Sequence, residues 1–196
     1  MISREHEPDV PAAIPLREAE RPDADLVAAV NAGPPGAEAA FAAIYRRHKD
    51  FCFRTAVRIT HDPQTAMDAV QEAFIHLARQ FPGFSLSGKL TTYLYPVVRH
   101  RALGLARRAR RTPDPARLAP PGDASPTPEN DLAPLRAALE DLPDIHREVL
   151  VLRVVEGLDV SATAQALGLP TGTVKSRLHK AIARLREDPR TQAYFS

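Results

Sequence analysis

The sequence has no tryptophan, one cysteine and few aromatic residues, and each shortage narrows the possible folds. Aromatic residues make up only 6% of the 196 residues, so a hydrophobic core must come mostly from alanine, leucine and valine. This composition favours helices over sheets. The single cysteine, Cys52, excludes a disulfide within the chain and is typical of proteins in a reducing cytosol.

Long apolar runs are also missing. No stretch approaches the roughly 18 apolar residues that a membrane span needs, and residues 1–22 lack the apolar centre of a signal peptide. We therefore expect a cytoplasmic protein without a membrane segment. Apolar residues still make up 44% of the chain, which is enough for one medium or two small hydrophobic cores.

The formal net charge is only +2, but the charges are segregated along the chain. Residues 1–35 hold seven acids and three arginines. Residues 97–111 hold six arginines and no acid, and residues 171–186 hold five lysines or arginines and no acid. Local basic blocks of this kind favour a polyanionic partner.

Proline-rich segments divide the chain into parts. Residues 112–134 contain seven prolines and few apolar side chains, which predicts a flexible linker. Residues 1–22 are similar and are predicted to be a disordered extension. Two small helical domains are expected, over residues 23–111 and 135–188, followed by a tail at 189–196. No segment alternates with a period of two, so the predicted fold is all-α.

Helical spacing is clear in the first domain. Asp62 is the expected N-cap of a helix whose first residue is Pro63, and Pro96 is expected to start or kink a later one. The predicted core positions recur at helical spacing. They are Phe41, Ile44, Tyr45, Cys52, Ala56 and Ile59, followed by Ala66, Val70, Ala73, Phe74, Leu77 and Phe81.

The second domain ends in the stretch "GLPTGTVKSRLHKAIARLRE", residues 168–187. A short helix with Asp159 as its expected N-cap precedes the turn at Gly168, and small Ala164 allows two helices to cross closely. The apolar positions of the last helix converge on one side, and polar and basic residues cover the rest. The apolar positions are Val174, Leu178, Ala181, Ile182 and Leu185. This order of elements predicts a helix-turn-helix, whose second helix enters the major groove of DNA.

The stretches "LPDIHREVLVLRVVEGL" and "GLPTGTVKSRLHKA" resemble the C-terminal domain of extracytoplasmic-function (ECF) sigma factors of bacterial RNA polymerase. The resemblance implies that the last helix reads the upstream, minus-thirty-five promoter element. The implied DNA contacts are Thr173, Lys175, Ser176, Arg177, His179, Lys180 and Arg184. In the preceding helix, Ala162 stands where the family often has Glu, so Asp159 lacks the partner of a capping box.

The stretch "DAVQEAFIHLAR" carries one apolar residue, Ile75, among polar groups on the face opposite the core. The pattern alone fits a solvated face and a docking surface equally well. It also resembles the ECF sigma helix that binds the clamp helices of the polymerase largest subunit, which favours docking. The implied polymerase contacts are Asp68, Gln71, Glu72, Ile75 and Arg79.

The stretch "LTTYLYPVVRHRALGLARRARR", with the loop before it, resembles the sigma element that melts the minus-ten promoter region. Cations hold the DNA backbone and aromatic side chains accept an unstacked base, a role for which Tyr95 is a further candidate. The implied contacts are Phe84, Ser85, Lys89, Tyr93, Arg99, His100, Arg101, Arg107 and Arg108. Tyr93, Pro96 and His100 depart from the residues usual in the family, so the base preference is not transferable.

These features together predict a promoter-specificity subunit of RNA polymerase. A 23-residue linker extends to about 75 Å, enough for both domains to touch one duplex at separate elements. The expected partners are core polymerase, through its clamp helices and flap, promoter DNA and an anti-sigma factor, and the free protein is expected to be a monomer. The alternative is a helix-turn-helix regulator that works without polymerase; a pure protein-interaction adaptor leaves both basic helices unexplained.

One motif resembles an enzyme's. Residues 83–89 spell G-x-x-x-x-G-K, but Leu90 stands where a phosphate-binding loop needs Ser or Thr, and the preceding segment is helical rather than a strand. The histidines are scattered, and Cys52 has no neighbouring ligands, so no metal site is predicted. We expect no catalytic residue and no cofactor.

Overall fold

The computed structural model describes residues 21–111 and 132–195. Within these two ranges every regular element is a helix and no strand occurs, so the all-α prediction is confirmed. The predicted extension at 1–22 and the predicted linker at 112–134 fall almost entirely outside the described residues.

The N-terminal domain is built around one long helix. In chain order its helices are α1 (Asp23–Ala32), α2 (Ala37–Thr60), α3 (Pro63–Ala78) and α4 (Leu90–Arg111). Helix α2 packs against α1, α3 and α4, and α3 also packs against α4. The three longer helices therefore surround a common core, and each keeps one face outside it.

Local signals set the ends of these helices, and the predicted start at Asp62 and Pro63 is confirmed. The side chain of Asp62 accepts a hydrogen bond of 2.7 Å from the backbone N–H of Thr65, and Pro63 takes the first helical position. Gly33 follows the last residue of α1 with a φ of +77°, a conformation that favours glycine. Each signal acts within four residues, which is why the sequence alone reveals it.

The N-terminal core is aliphatic with an aromatic edge. Its fully buried large side chains are Leu26, Ile44, Val70, Leu77, Leu90, Leu94 and Val98. Phe74 meets Phe41 and Tyr45 edge to face, with ring centroids 6.5 and 4.8 Å apart. Of the predicted core positions, Phe41, Tyr45, Ile59 and Phe81 are only partly buried and pack against this cluster.

Pro96 was expected to start or kink a helix, and the first of these alternatives is wrong. Helix α4 begins at Leu90 and continues through Pro96 as far as Arg111. Pro96 removes one N–H from the helix, but it lies on the exposed side, where its ring displaces no core side chain. The buried residues around it, Leu94, Tyr95 and Val98, hold the helix against the core despite the lost hydrogen bond.

The C-terminal domain is smaller and consists of short helices. They are α5 (Ala133–Glu140), α6 (Asp144–Leu150), a π-helical turn (Val151–Val155), α7 (Val160–Leu167), α8 (Thr171–Glu187) and a 3-10 turn (Gln192–Tyr194). Asp159 caps α7 by accepting a hydrogen bond of 2.7 Å from the N–H of Ala162. Gly168 ends α7 in the left-handed region, with φ +64° and ψ +37°, which is why the turn needs glycine.

The π-helical turn is a feature that the sequence did not reveal. The α-helical pitch of Asp144–Leu150 gives way to the wider π pitch at Val151–Val155. The N–H of Glu156 donates to the carbonyl of Val151, five residues back, at 3.0 Å. Residues 144–155 contain no proline or glycine that would mark the change.

Helix α8 is held by α6 and α7, which both pack against it. Val149, Ala164 and Val174 form one buried cluster where the three helices meet, and small Ala164 leaves room for the close crossing. A second cluster contains Ala138, Leu142, Leu150, Ala181 and Leu185. Arg147 ties the end of α5 to α6, because its guanidinium donates to the carbonyls of Leu139 and Leu142 at 2.8 and 2.7 Å.

The two domains are in contact. Leu152, Leu158 and Ala166 are buried in the same hydrophobic cluster as the N-terminal core, and helix α7 packs against α4. Full burial of a leucine side chain is worth about 1.5–3 kcal/mol. The apolar part of this contact therefore contributes to the stability of the whole chain.

The cap at Asp62 gives a test of the N-terminal fold. Asp62→Ala is expected to lower the free energy of unfolding by about 0.5–2 kcal/mol, because the N–H of Thr65 loses its acceptor at the start of α3. The measurement is urea denaturation followed by circular dichroism. Gln64→Ala, an exposed change in the same turn, is the control. Equal midpoints for both variants would mean that the cap contributes nothing.

Candidate nucleic-acid and protein interfaces

The outer face of α8 is open to solvent. Lys175, Ser176, His179, Lys180 and Arg184 are exposed there, and Thr173 and Arg177 are partly exposed. On the opposite side, Val174, Ala181 and Leu185 are buried. All the predicted upstream-element contacts are therefore accessible on a helix that is anchored by its other face. Their role in binding DNA stays a prediction.

A buried histidine lies near the basic residues of α8. His146 lies on α6 and is buried, and its Nδ1 has no hydrogen-bond partner within the part of the chain that the structure describes. Burial lowers the pKa of the His146 imidazole from its usual 6.5, and the nearby charges of Arg184, Lys180 and Arg177 lower it further. The positive charges of α8 therefore also lower the pKa of a buried side chain of the same domain.

The loop between α3 and α4 is fixed by a side chain that sequence reasoning missed. The Asn31 side chain donates a hydrogen bond of 2.8 Å to the carbonyl of Phe84 and accepts one of 2.7 Å from the N–H of Gly83. The Phe84 ring packs edge to face against Tyr93, with centroids 4.8 Å apart. Two of the predicted minus-ten residues therefore form one aromatic pair, while Ser85 is exposed beside them. A lone Asn at the end of α1 gave no sequence signal for this role.

The predicted minus-ten cations do not share one environment. His100, Arg107 and Arg108 are exposed on α4. Arg101 lies 3.9 Å from the Glu72 carboxylate, a loose pairing between partly exposed groups. Lys89 and Arg99 instead face the C-terminal domain. The Nζ of Lys89 donates to the carbonyl of Gly157 at 3.3 Å, and the Nε of Arg99 donates to the Glu148 carboxylate at 2.8 Å.

Tyr95, proposed above as a stacking surface, is buried and only 5% exposed. Burial raises the pKa of the Tyr95 hydroxyl well above its usual value, and Glu148 adds to the rise. In this arrangement Tyr95 is a packing residue and offers no face to a base. Tyr95 lies on the buried side of α4, next to Leu94. The sequence pattern alone did not show that this side of the helix is packed.

The outer face of α3 combines apolar and charged groups. Ile75 is 52% exposed, Gln71 and Arg79 are exposed, and Asp68 and Glu72 are partly exposed. Met67, which the sequence reasoning did not select, is 38% exposed and stands eight residues before Ile75. Because residues four apart share a helix face, Met67, Gln71 and Ile75 form one stripe. Binding of polymerase by this stripe stays a prediction.

The G-x-x-x-x-G-K stretch does not have the setting of a phosphate-binding loop. The element before it is helix α3, which ends at Ala78, and not a strand, and Leu90 after it is fully buried. Lys89 binds the carbonyl of Gly157. In the described ranges, no helix is both long and apolar enough to cross a membrane.

Comparisons with known proteins agree with a chain of two helical domains. Residues 44–112 match the family described as Sigma-70 region 2, and residues 138–187 match Sigma-70, region 4. The chain is 33% identical over 145 residues to the RNA polymerase sigma-E factor of Streptomyces avermitilis, covering 73% of this chain and 81% of that protein. It is 33% identical over 168 residues to the ECF RNA polymerase sigma factor SigM of Mycobacterium tuberculosis, covering 85% and 84%.

A solved structure shares the fold. The sigma factor RpoE of Bartonella quintana, solved with the anti-sigma factor NepR, matches with a TM-score of 0.57 and 22% identity, covering 75% of this chain and 94% of that one. The two matching regions and the curated relatives together show that the chain belongs to the ECF sigma factors of bacterial RNA polymerase. The family resemblance seen in the sequence is confirmed.

His146 gives a pH-dependent test. Its pKa is lowered in the folded state, so the unfolded chain binds a proton more readily, and stability is lost as the pH falls below about 6.5. His146→Gln is expected to remove this part of the loss, which urea denaturation between pH 7.5 and 5.5 measures. His100→Gln, at an exposed site, is the control and should keep the wild-type slope. If the His146→Gln variant lost stability with falling pH as steeply as the wild type, this pH dependence would not come from His146.

Proposed function

We propose that this ECF sigma factor holds a promoter at two points while a third surface binds core RNA polymerase. Helix α8 binds the upstream element, the α3–α4 loop with α4 binds the minus-ten element, and the outer face of α3 binds the polymerase. The observation that carries the proposal is the anchored helix α8, which has a buried apolar face and an exposed basic face with no acid before Glu187.

At the upstream element, the exposed face of α8 fits the major groove. The groove is about 12 Å wide, close to the diameter of a helix with its side chains. Ser176 is exposed in the first half of the helix, where base edges are read, and Lys180 is exposed one turn farther on. Arg184 lies another turn along and suits a phosphate. Thr173, Lys175, Arg177 and His179 complete the proposed contact set.

At the minus-ten element, the aromatic pair Phe84–Tyr93 and the cations of α4 have different roles. An aromatic surface accepts a base that has left the stack, and cations hold the backbone of the opened strand. Ser85 in the loop and His100 on α4 lie within reach of the same strand. The remaining proposed backbone contacts are Lys89, Arg99, Arg101, Arg107 and Arg108. Melting of this kind breaks no covalent bond, so we propose that the protein has no catalytic residue.

For polymerase binding, the outer face of α3 offers Met67 and Ile75 flanked by Asp68 and Glu72. An apolar centre ringed by carboxylates is complementary to an apolar contact with basic neighbours. We assign this face to the clamp helices of the largest subunit and the C-terminal domain to the flap, as the family resemblance implies. The site of action is then the cytoplasm, where core polymerase works.

An anti-sigma factor is the proposed regulator. The sigma factor RpoE of Bartonella quintana was solved in complex with one, NepR. The surfaces that bind DNA and polymerase are the effective targets for such a partner, because covering them prevents both functions. Apart from such a partner, the free protein is proposed to be a monomer.

The decisive experiment is run-off transcription with purified core polymerase on genomic promoter fragments. A transcript with a defined start site, formed only when the protein is added, is the expected result. Stable binding to core without such a transcript would overturn the proposal. Tight, sequence-specific promoter binding by the protein alone would instead favour a polymerase-independent helix-turn-helix regulator, the reading that the family comparisons do not favour.

Base reading by α8 can be tested residue by residue. Ser176→Ala and Lys180→Ala are each expected to weaken holoenzyme binding to the upstream element by about 1–3 kcal/mol if they read bases. Binding is measured by competition between the promoter and a duplex with a scrambled upstream element. Lys49→Ala, an exposed change on α2, is the control. An equal loss on both duplexes would assign the residue to phosphate contact alone.

The docking face gives a separate test. Ile75→Glu is expected to weaken binding to core polymerase by at least tenfold, because a charge replaces the apolar centre of the surface. The fold should be unaffected, since Ile75 is 52% exposed. Leu132→Glu, at an apolar residue 48% exposed on the other domain, is the matched control. Fluorescence anisotropy of the labelled protein with core enzyme measures both, and equal affinities would contradict the docking role.

A further inference from the structure

The α3–α4 loop, residues 79–89, makes few hydrogen bonds within itself. Among the residues that the structure describes, no backbone group from residue 82 to residue 88 is hydrogen-bonded to another backbone group. This stretch is instead bonded to one side chain. Asn31 donates to the Phe84 carbonyl at 2.8 Å and accepts from the Gly83 N–H at 2.7 Å. A single amide therefore binds the peptide groups on both sides of the Gly83–Phe84 pair.

Asn31 lies on a helix that is itself fixed to the core. Leu26 and Val27 of α1 are buried, and the Asp23 carboxylate in the first turn lies 3.0 Å from Nε2 of His48 on α2. The last turn of α1, from which the Asn31 amide reaches the loop, is thus a firm support. An amide that donates and accepts at once also fixes the direction of the groups it binds, because each hydrogen bond has a preferred angle.

The anchored stretch turns its side chains alternately inwards and outwards. Phe84 and Leu86 are partly buried and pack against the N-terminal core, whereas Ser85 and Ser87 are exposed. The carbonyl that Asn31 binds belongs to the peptide group between Phe84 and Ser85. The same hydrogen bond therefore keeps the aromatic ring on the inner side of the loop and the first serine on the outer side.

We propose that Asn31 is a positioning residue for minus-ten recognition, which holds the α3–α4 loop in the shape that receives an unstacked base before the DNA arrives. The inference rests on the proposed function, because it takes Phe84 and Ser85 as minus-ten contacts. A loop that is already ordered loses less conformational entropy on binding. A polar group in a fixed position also rejects a base that leaves it unpaired. Asn31 therefore acts on the choice of base, through the loop.

Two variants remove the hydrogen bonds in different ways. Asn31→Ala deletes the amide, and Asn31→Leu replaces it by an apolar group of similar size, so an effect that both share does not come from lost volume. Alanine and leucine favour a helix more than asparagine does, so α1 should stay intact, which circular dichroism checks. The control is Gln80→Ala, which removes an exposed amide from the same loop, where it donates to the His76 carbonyl at 3.5 Å.

The order of the loop is measured first, without DNA. A nitroxide label at Ser87→Cys, an exposed position of the loop, reports local mobility by electron paramagnetic resonance. Cys52 stays unlabelled because it is buried and burial raises the pKa of its thiol to about 12. We expect a more mobile label in both Asn31 variants and an unchanged label in the control. A wild-type spectrum in the Asn31 variants would overturn the proposal.

The choice of base is measured by run-off transcription with the unlabelled proteins. The templates are a promoter that the wild-type protein transcribes and versions of it with each minus-ten base replaced in turn. The readout is the ratio of the yield on the original promoter to the yield on each replacement. We expect the Asn31 variants to lower this ratio by about two- to tenfold at one or more positions, the net contribution of one typical hydrogen bond.

The ratio separates positioning from a general loss of stability. Fewer folded molecules lower every yield alike and leave the ratios unchanged. Wild-type ratios in the Asn31 variants would therefore overturn the positioning role even if the loop is more mobile, and the control is expected to keep the wild-type ratios. Absence of any transcript with the wild-type protein would instead overturn the proposed function, and this role with it.

Discussion

Helix α4 is the element on which the rest of the structure depends, because it packs on three sides. Leu90, Leu94 and Val98 anchor it to the N-terminal core, and it also contacts α7 of the C-terminal domain. Its remaining surface carries arginines that no core position could accept. One amphipathic helix therefore connects the stability of the N-terminal domain, the contact between domains and the candidate minus-ten surface. A substitution on one side of α4 is therefore expected to affect the packing of its other sides.

The parts of the fold that the sequence predicted are those set by nearby residues. Asp62 and Asp159 cap helices through N–H groups three residues away, and Gly168 ends α7 because its own φ requires glycine. Contacts between distant residues were beyond such signals. Asn31 holds a loop more than fifty residues away, and Glu156 pairs with Arg54 across domains. Neither residue belongs to a pattern, so only the folded chain brings them together.

The candidate surface on α8 was predicted from the sequence more completely than the one on α4, again because of contacts between distant residues. The face of α8 follows from helical period, since burial of Val174, Ala181 and Leu185 leaves the basic residues outside. On α4 the same reasoning was incomplete. The helix contacts other helices on more than one side, and Tyr95 and Arg99 therefore face protein in this arrangement rather than solvent. Periodicity predicts which residues share a face, but the number of packed faces is a tertiary property.

The π-helical turn at Val151–Val155 adjusts the phase of the chain between two helices. A π turn holds one residue more than an α turn, so residues beyond it are rotated by about 100° relative to a uniform α-helix. In that rotated phase Leu152, Glu156 and Leu158 face the N-terminal domain, while Val154 and Val155 are exposed to solvent. The π turn therefore helps to determine which side chains of this segment face the N-terminal domain. Adding or removing one residue in this turn would also disturb the hydrophobic cluster that Leu152 and Leu158 share with the N-terminal core.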